Sequence, residues 1–384
     1  MSETKFFEAE KTFSGHTKRV SALAKVDDKT FISGSWDKTI KLWNIDMDTP
    51  LRTYNYTRSV SALAVFPDKE HFISGGCNVT IKLWKIDSDT PERTYTGHTD
   101  YVRALAVLDS QTFISGSDDM TIKLWNIDKT TALRTYNTTG KIVNALAVFP
   151  DKKRFISGSK GVGFRREGDT KVWEIDKNRP TLLHSYSSGV EAVAVLGNDK
   201  YIQSVNDNEI SLWRFGQYNP ERRYYSYSSD ALAVFPDKKH FISVSSKHII
   251  LWNIDNDTPE LTYTPYSQLT YTHERIYKGH TGDVEALAVL DSQTFISGSS
   301  DNTIKLWRYF EPALEPIVTK QLDNGIGKYP SLHTQGFVGT RDGYFSRFLF
   351  KNESRGGKRR NKKSKKKRSN KKKYRKTRRK SRKI

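Results

Sequence analysis

The chain has 384 residues, 28% of them charged and 36% hydrophobic, with one cysteine and a formal net charge of +21. The charge is concentrated: Arg355 to Ile384 holds 20 Lys or Arg and no acid, leaving 44 basic against 43 acidic residues before it, so a nearly neutral body carries a cationic end. A lone Cys77 excludes an intrachain disulfide, no apolar run reaches the ~18 residues of a membrane helix, and the opening MSETKFFEAEKTF lacks the basic start and apolar core of a signal peptide. The expected setting is intracellular, cytoplasmic or nuclear, and not secreted.

Along the chain, Thr4 to Phe13 reads as a short strand-like lead, and its end, EKTFSGHT, matches ERTYTGHT at Glu92–Thr99 and RIYKGHT at Arg275–Thr281. The chain therefore opens on the last strand of a repeating unit. The first full unit follows. Val20–Val26 is an apolar run, Phe31–Ser35 alternates, Gly34 and Asp37 mark a turn, and Thr39–Trp43 alternates again. The polar turn NIDMDTP then leads to a fourth strand at Leu51–Tyr54. The stretch FISGSWDKTIKLW (Phe31–Trp43) recurs as FISGSDDMTIKLW at Phe113–Trp125 and FISGSSDNTIKLW at Phe295–Trp307, with weaker copies ending at Trp84, Trp173, Trp213 and Trp252. Successive terminal tryptophans lie 41, 41, 48, 40, 39 and 55 residues apart, and only Trp36 stands outside the series. Four short strands per unit of about 40 residues, with no helical pattern before residue 350, make the chain an all-β repeat array.

Gly-His at the start of the unit, Ser-Gly-Ser-x-Asp in its second half and Ile-Lys-Leu-Trp at its end resemble WD-repeat β-propellers over residues 5 to 350. The resemblance implies four-stranded blades around a channel. It also implies a buried network of His, Ser, Asp and Trp in each complete unit: His16, Ser33, Asp37 and Trp43; His98, Ser115, Asp119 and Trp125; His280, Ser297, Asp301 and Trp307. A buried indole needs a partner for its N–H, and such a network holds only if every member is satisfied, so these residues read as structural. The other units have lost parts of it. The second shows Arg58 and Ser59 where Gly-His is expected and Asn78 for the Asp. The fourth shows Thr139 and Gly140, the fifth keeps Asp207 without a His, and the sixth has Ser246 for the Asp. Residues 308 to 350 span one more unit length, with Gly339, Asp342 and Phe348 at the offsets of Gly34, Asp37 and Trp43. Eight blades are expected, the last degenerate and completed by the lead at 4–13, in a domain of residues 1–350. A seven-bladed ring closed by the lead, with 308–350 outside it, is the rival.

Candidates for function lie outside the network. Trp36 precedes Asp37 on a turn that the resemblance places on one ring face, where Asp118 and Ser300 hold the equivalent places; Arg19 and Tyr101 precede inner strands of their units. Trp36, Arg19, Tyr101 and Asp118 are the expected partner-binding face, aromatic and Arg residues being the usual interface anchors. Two insertions, Lys160–Gly168 and Pro265–Glu274, are further recognition candidates. Paired carboxylates such as Asp46 and Asp48 lack the other ligands of a calcium loop. No metal, cofactor, small-molecule substrate or catalytic site is expected, and no membrane association. The segment 351–384 reads as disordered by like-charge repulsion. Its Lys358, Arg359, Arg360, Lys365, Lys366, Lys367, Arg368, Lys371, Lys372, Lys373, Arg378 and Arg379 suit RNA, DNA or another polyanion. The expected function is a non-catalytic scaffold whose face binds protein or peptide and whose tail binds nucleic acid. The alternatives are an interaction module whose tail is only a nuclear or nucleolar targeting signal, and a non-catalytic subunit of an enzyme complex.

Overall fold

The computed structural model describes residues 6–161, 167–177, 181–186, 188–205, 208–225, 230–255, 275–309, 337–339 and 345–347. The insertion at 265–274, most of that at 160–168, Asp207 and the tail 351–384 lie outside the described residues. The chain divides into two units, residues 1–314 and 315–384. In the second, Phe337–Gly339 pairs antiparallel with Phe345–Arg347.

The first unit is a β-propeller. Blade 1 is Val20–Lys25, Thr30–Ser35, Thr39–Asn44 and Arg52–Asn55, each strand antiparallel to the next. Blades 2 to 5 repeat this order, their innermost strands being Val60–Val65, Val102–Val107, Lys141–Val148 and Val190–Val195. Blade 6 starts at Leu232–Val234 and blade 7 at Val284–Val289. Each innermost strand packs against that of the next blade, and that of blade 7 packs against that of blade 1, closing the ring.

Among the described residues seven blades form, closed by the lead as in the rival reading, where eight were expected. The lead does not complete an eighth unit. Lys11–Phe13 pairs antiparallel with Ile304–Arg308 as the outer strand of blade 7. The preceding Phe6–Phe7 pairs parallel with Arg275–Tyr277, giving blade 6 a fifth strand. A single lead thus covers two outer edges that would otherwise be open for pairing.

The core is seven layers, one per seam between blades. Each is built from the same sequence positions. Trp84 lies stacked on Phe72 of its own blade (6.0 Å between centroids, 6° between planes) and is met edge-on by Tyr54 from the outer strand of blade 1 (5.7 Å, 66°). The Tyr54 hydroxyl donates to the Ile86 carbonyl (2.6 Å), as Tyr95 does to Ile127 (2.8 Å) and Tyr136 to Ile175 (2.7 Å). The recurrent Thr-Tyr of the outer strand is therefore the clasp onto the next blade, apolar on its ring and satisfied at its tip. At the closure Phe13 holds the same place against Trp43 (5.6 Å). The glycine of Ser-Gly-Ser is needed by the same packing: a Cβ on Gly298 would sit 2.6 Å from Val20 Cγ1 across the closing seam.

Phe13 is 1% exposed, so Phe13→Ala is expected to cost about 3–5 kcal/mol, read as a lowered urea midpoint, and removal of residues 1–13 to cost more. Unchanged midpoints for both would contradict the closure by the lead.

Candidate interaction face

The residues around each Trp divide into a buried set that holds the blade and an exposed set on one face. In blade 1 the Trp43 indole N–H donates to Ser33 Oγ (2.8 Å), Ser33 meets His16 Nε2 (2.7 Å), and His16 Nδ1 meets Asp37 Oδ2 (2.7 Å). With the indole donating to Ser33, the serine proton goes to Nε2, so the imidazole carries its own proton on Nδ1 and donates it to Asp37. The carboxylate also accepts from Thr39 Oγ1 (2.6 Å) and the Thr17 amide (3.0 Å). Blades 3 and 7 repeat the geometry with His98, Ser115, Asp119 and Trp125 and with His280, Ser297, Asp301 and Trp307. Burial works against the charge on Asp37, but hydrogen bonds from His16 and Thr39 outweigh it and hold the carboxyl well below the usual range. Burial depresses the His280 imidazole.

The incomplete blades keep the indole satisfied, three of them through the same strand serine. Trp84, Trp173 and Trp252 donate to Ser74, Ser157 and Ser243. In blade 5 Gln203 stands at the serine position and Trp213 uses Ser211 instead (2.9 Å). The register of blade 2 also differs from the expected one. Tyr56, rather than Arg58–Ser59, occupies the histidine's place, and its hydroxyl donates to Asn78 Oδ1 (2.8 Å). In blade 4 the register brings Thr138 and Thr139, not Thr139 and Gly140, to the Gly-His place, and Lys171 Nζ donates to the Thr138 carbonyl and the Thr139 hydroxyl (both 3.0 Å). The turn carboxylates considered for calcium face cations: Asp46 meets Lys29 (2.8 Å) and Asp48 meets Lys11 (2.9 Å).

The exposed set is assembled by two adjacent turns. The amides of Trp36, Cys77, Asp118 and Ser300 donate to the carbonyls of Arg19, Ser59, Tyr101 and Asp283 (2.8–3.1 Å), which ties the turn before each third strand to the entry of its inner strand. Immediately afterwards the inner strand carries a register irregularity, between Val20 and Ala22, Val60 and Ala62, Val102 and Ala104, and Val284 and Ala286. A bulge re-aims its extra residue, and here that residue is Ser21, Ser61, Arg103 or Glu285. Trp36 (41% exposed) and Val79 (41%) lie on the turns before the third strands of blades 1 and 2, and Tyr101 (44%) lies at the entry to the inner strand of blade 3, at the same end of the blades.

The charged bulge residues are paired. Arg103 makes a two-pronged contact with Asp118, Nη2 to Oδ2 at 2.7 Å. Glu191, at the same register irregularity between Val190 and Ala192 in blade 5, accepts from Asn144 Nδ2 (2.8 Å) and faces Lys160 (3.4 Å). Glu285 accepts from Arg19 Nη1 (3.0 Å) across the closing seam, and the Arg19 guanidinium lies 4.4 Å from the Trp36 ring centroid. Burial, with Asp230 and Asp283 adding to it, raises the Glu285 carboxyl above the usual range against the pull of Arg19. Of the four face residues read from the sequence, Trp36 and Arg19 are brought into contact, Asp118 is engaged by Arg103, and Tyr101 stands exposed. Arg103, Glu285 and Val79 were missed; the position after the Val that opens each inner strand was the available signal for the first two. Among the described residues, no group of three or more His, Cys, Asp or Glu side chains has the geometry to hold a metal ion.

Three segments, residues 7–44, 89–126 and 271–308, match the profile of the WD domain, G-beta repeat (WD40). These three segments are WD40 repeats, and the fold is a β-propeller. The matched segments are those that contain the three complete His–Ser–Asp–Trp networks. The crystal structure of the WD40 beta propeller domain of Doa1 is similar at a TM-score of 0.66 and 20% identity, covering 80% of this chain and 98% of that one. No curated protein matches. Among solved structures 1749 chains match, so the WD40 fold alone does not select a function.

Two expectations follow for the buried sets. Ser33→Ala leaves two buried groups unpaired, the Trp43 N–H and His16 Nε2, whereas Ser74→Ala leaves the Trp84 N–H unpaired, while Tyr56, which also meets Ser74, keeps its bond to Asn78. The first is expected to cost about 2–4 kcal/mol and the second about 1–2, compared by urea midpoints; equal costs would contradict the network's cooperativity. His184 stacks on Trp213 (3.6 Å between centroids), and burial pushes its imidazole down to about 4. Between that value and about 6.5 the unfolded chain takes up a proton that the folded site refuses. Stability is therefore lost as pH falls from about 6.5 to about 4, and His184→Phe should flatten this slope in melting temperatures taken across that range.

Proposed function

We propose that the protein is a non-catalytic interaction scaffold that binds a protein or peptide partner on the face carrying Trp36. The observation that supports this reading is an exposed indole on a short turn tied to the inner strand of its own blade and clamped by Arg19, with Val79 and Tyr101 exposed at the same end of blades 2 and 3. A rigid aromatic side chain at a fixed place loses little entropy on binding, which is what makes aromatic residues effective anchors. The WD40 fold is typically a platform for such contacts. The basic segment from Arg355 onward complements this by holding the scaffold on RNA, DNA or another polyanion through phosphate neutralisation.

Affinity capture from cells with full-length protein tests the face. Trp36→Ala and Tyr101→Ala are expected to lose partners that the parent retains after nuclease treatment; retention of every partner by both variants would reject the face. For the tail, binding to a single-stranded RNA is expected to weaken with salt at a log–log slope on the order of −5, as neutralising about seven phosphates requires, and to vanish on deleting 355–384. If affinity survives the deletion, the tail reading falls; if the intact tail binds no nucleic acid yet directs the protein to the nucleus, the targeting alternative replaces it.

A further inference from the structure

The Trp36–Arg19–Glu285 contact has the form of a filled binding seat. Trp36 offers an exposed π-face, Glu285 offers a half-buried carboxylate from the opposite side of the closing seam, and a guanidinium lies between them, 4.4 Å from the ring centroid and 3.0 Å from Oε1. A planar cation stacked on an indole and paired with a carboxylate is the arrangement in which an arginine of a partner would be recognised. Here the cation is supplied by the chain itself. Arg19 is 45% exposed at its side chain while Glu285 is 22% exposed, so the guanidinium is on the solvent side and can swing out without unpacking the blade. Asp230 and Asp283 stand close enough to Glu285 to act on its charge, so they add negative potential at the seat and make a replacement cation more favourable there than an unpaired Glu285.

We propose that Trp36 and Glu285 form a seat for an arginine side chain of a peptide partner, and that Arg19 is a displaceable plug that occupies the seat until the partner arrives. This rests on the reading of the Trp36 face as the binding face and adds to it the chemistry of the partner and a regulatory contact. The remainder of the partner segment would extend over the same face toward the exposed Val79 and Tyr101. Because seat and plug compete, the apparent affinity is lowered by the fraction of molecules whose seat is filled. Removing Arg19 should therefore tighten binding, the reverse of what the loss of a contact residue does.

The test uses the full chain and, as probe, a fluorescein-labelled peptide Gly-Ser-Ala-Arg-Ala-Ser-Gly with its citrulline counterpart, which keeps the shape and removes the charge. Binding is followed by fluorescence anisotropy and by the ¹⁹F signal of 5-fluorotryptophan at position 36, assigned with Trp36→Phe. Arg19→Ala is expected to tighten the arginine peptide about threefold to tenfold, Glu285→Gln to weaken it by a similar factor, Trp36→Ala to abolish it, and citrulline to remove it in every variant. Arg19→Gln, which keeps a polar side chain of similar reach, should act in the same direction as Arg19→Ala. Weaker or unchanged binding in both Arg19 variants overturns the plug, and equal binding of the citrulline peptide overturns the seat. If both fail while cellular partners are still lost in Trp36→Ala, the binding face stands and only this inference falls; if those partners are retained, the face itself is rejected.

Discussion

The constraint on which the rest of this propeller depends is the burial of one large indole in each seam between blades. Five of the seven seam tryptophans are among the largest fully buried side chains of the chain. Each terminal Trp is the largest side chain in its seam, a side chain of this size being worth about 3–5 kcal/mol when truncated. An indole also brings an N–H into an apolar layer, and that donor must be met. The serine ten residues earlier meets it in four blades, because the hairpin register pairs Ser33 with Lys41 and so puts it on the same sheet face as Trp43, one diagonal step away. Where that serine is lost, in blade 5, a serine two residues before the Trp takes over. The requirement is held more strictly than the residue that fulfils it.

The histidine and aspartate are a second layer on this requirement. The serine that accepts from the indole still has a proton to give, and the histidine accepts it; the histidine in turn needs an acceptor, and the aspartate supplies one while also taking turn amides. Each group is there because the previous one left a valence open. This chain of satisfaction ends at the turn that carries Trp36, Asp118 and Ser300. The buried network thereby fixes the backbone of the exposed face, and the rigidity of the candidate site derives from polar groups that no partner would touch. In blade 2, where Tyr56 and Asn78 make a shorter version, the same turn presents Cys77 and Val79.

Much of the architecture was legible before the fold was seen, and for a local reason. Ser33, Asp37 and Trp43 fall within eleven residues, a hairpin brings them together, and repetition at a near-constant period shows the hairpin again and again. Pairings between distant segments were not legible in the same way. The lead could be recognised as an outer strand from EKTFSGHT, but its partner stayed open between the seventh unit and an eighth. Gly339, Asp342 and Phe348 imitate the spacing of a repeat well enough to suggest an eighth blade, while the hydrogen bonds of Lys11–Phe13 go to Ile304–Arg308. Blade 2 shows a related limit. Once Gly-His is gone the alignment has no anchor, and only the strand register identifies Tyr56, rather than Arg58, as the residue facing Asn78.

The face divides along the same line. Trp36 stood out in the sequence because it broke a repeating pattern, and an exposed aromatic at a turn needs no tertiary knowledge to be suspected. Its contact with Arg19 and the contact of Arg19 with Glu285 belong to the closed ring: 266 positions separate Arg19 from Glu285, and they meet only because blade 7 packs against blade 1. By itself the sequence determined the blade, since its interactions lie within a few tens of residues and recur at a fixed period. The number of blades, the strand that closes them and the charge placed beside Trp36 were decided by tertiary structure, because each depends on which chain segments become neighbours when the ring shuts.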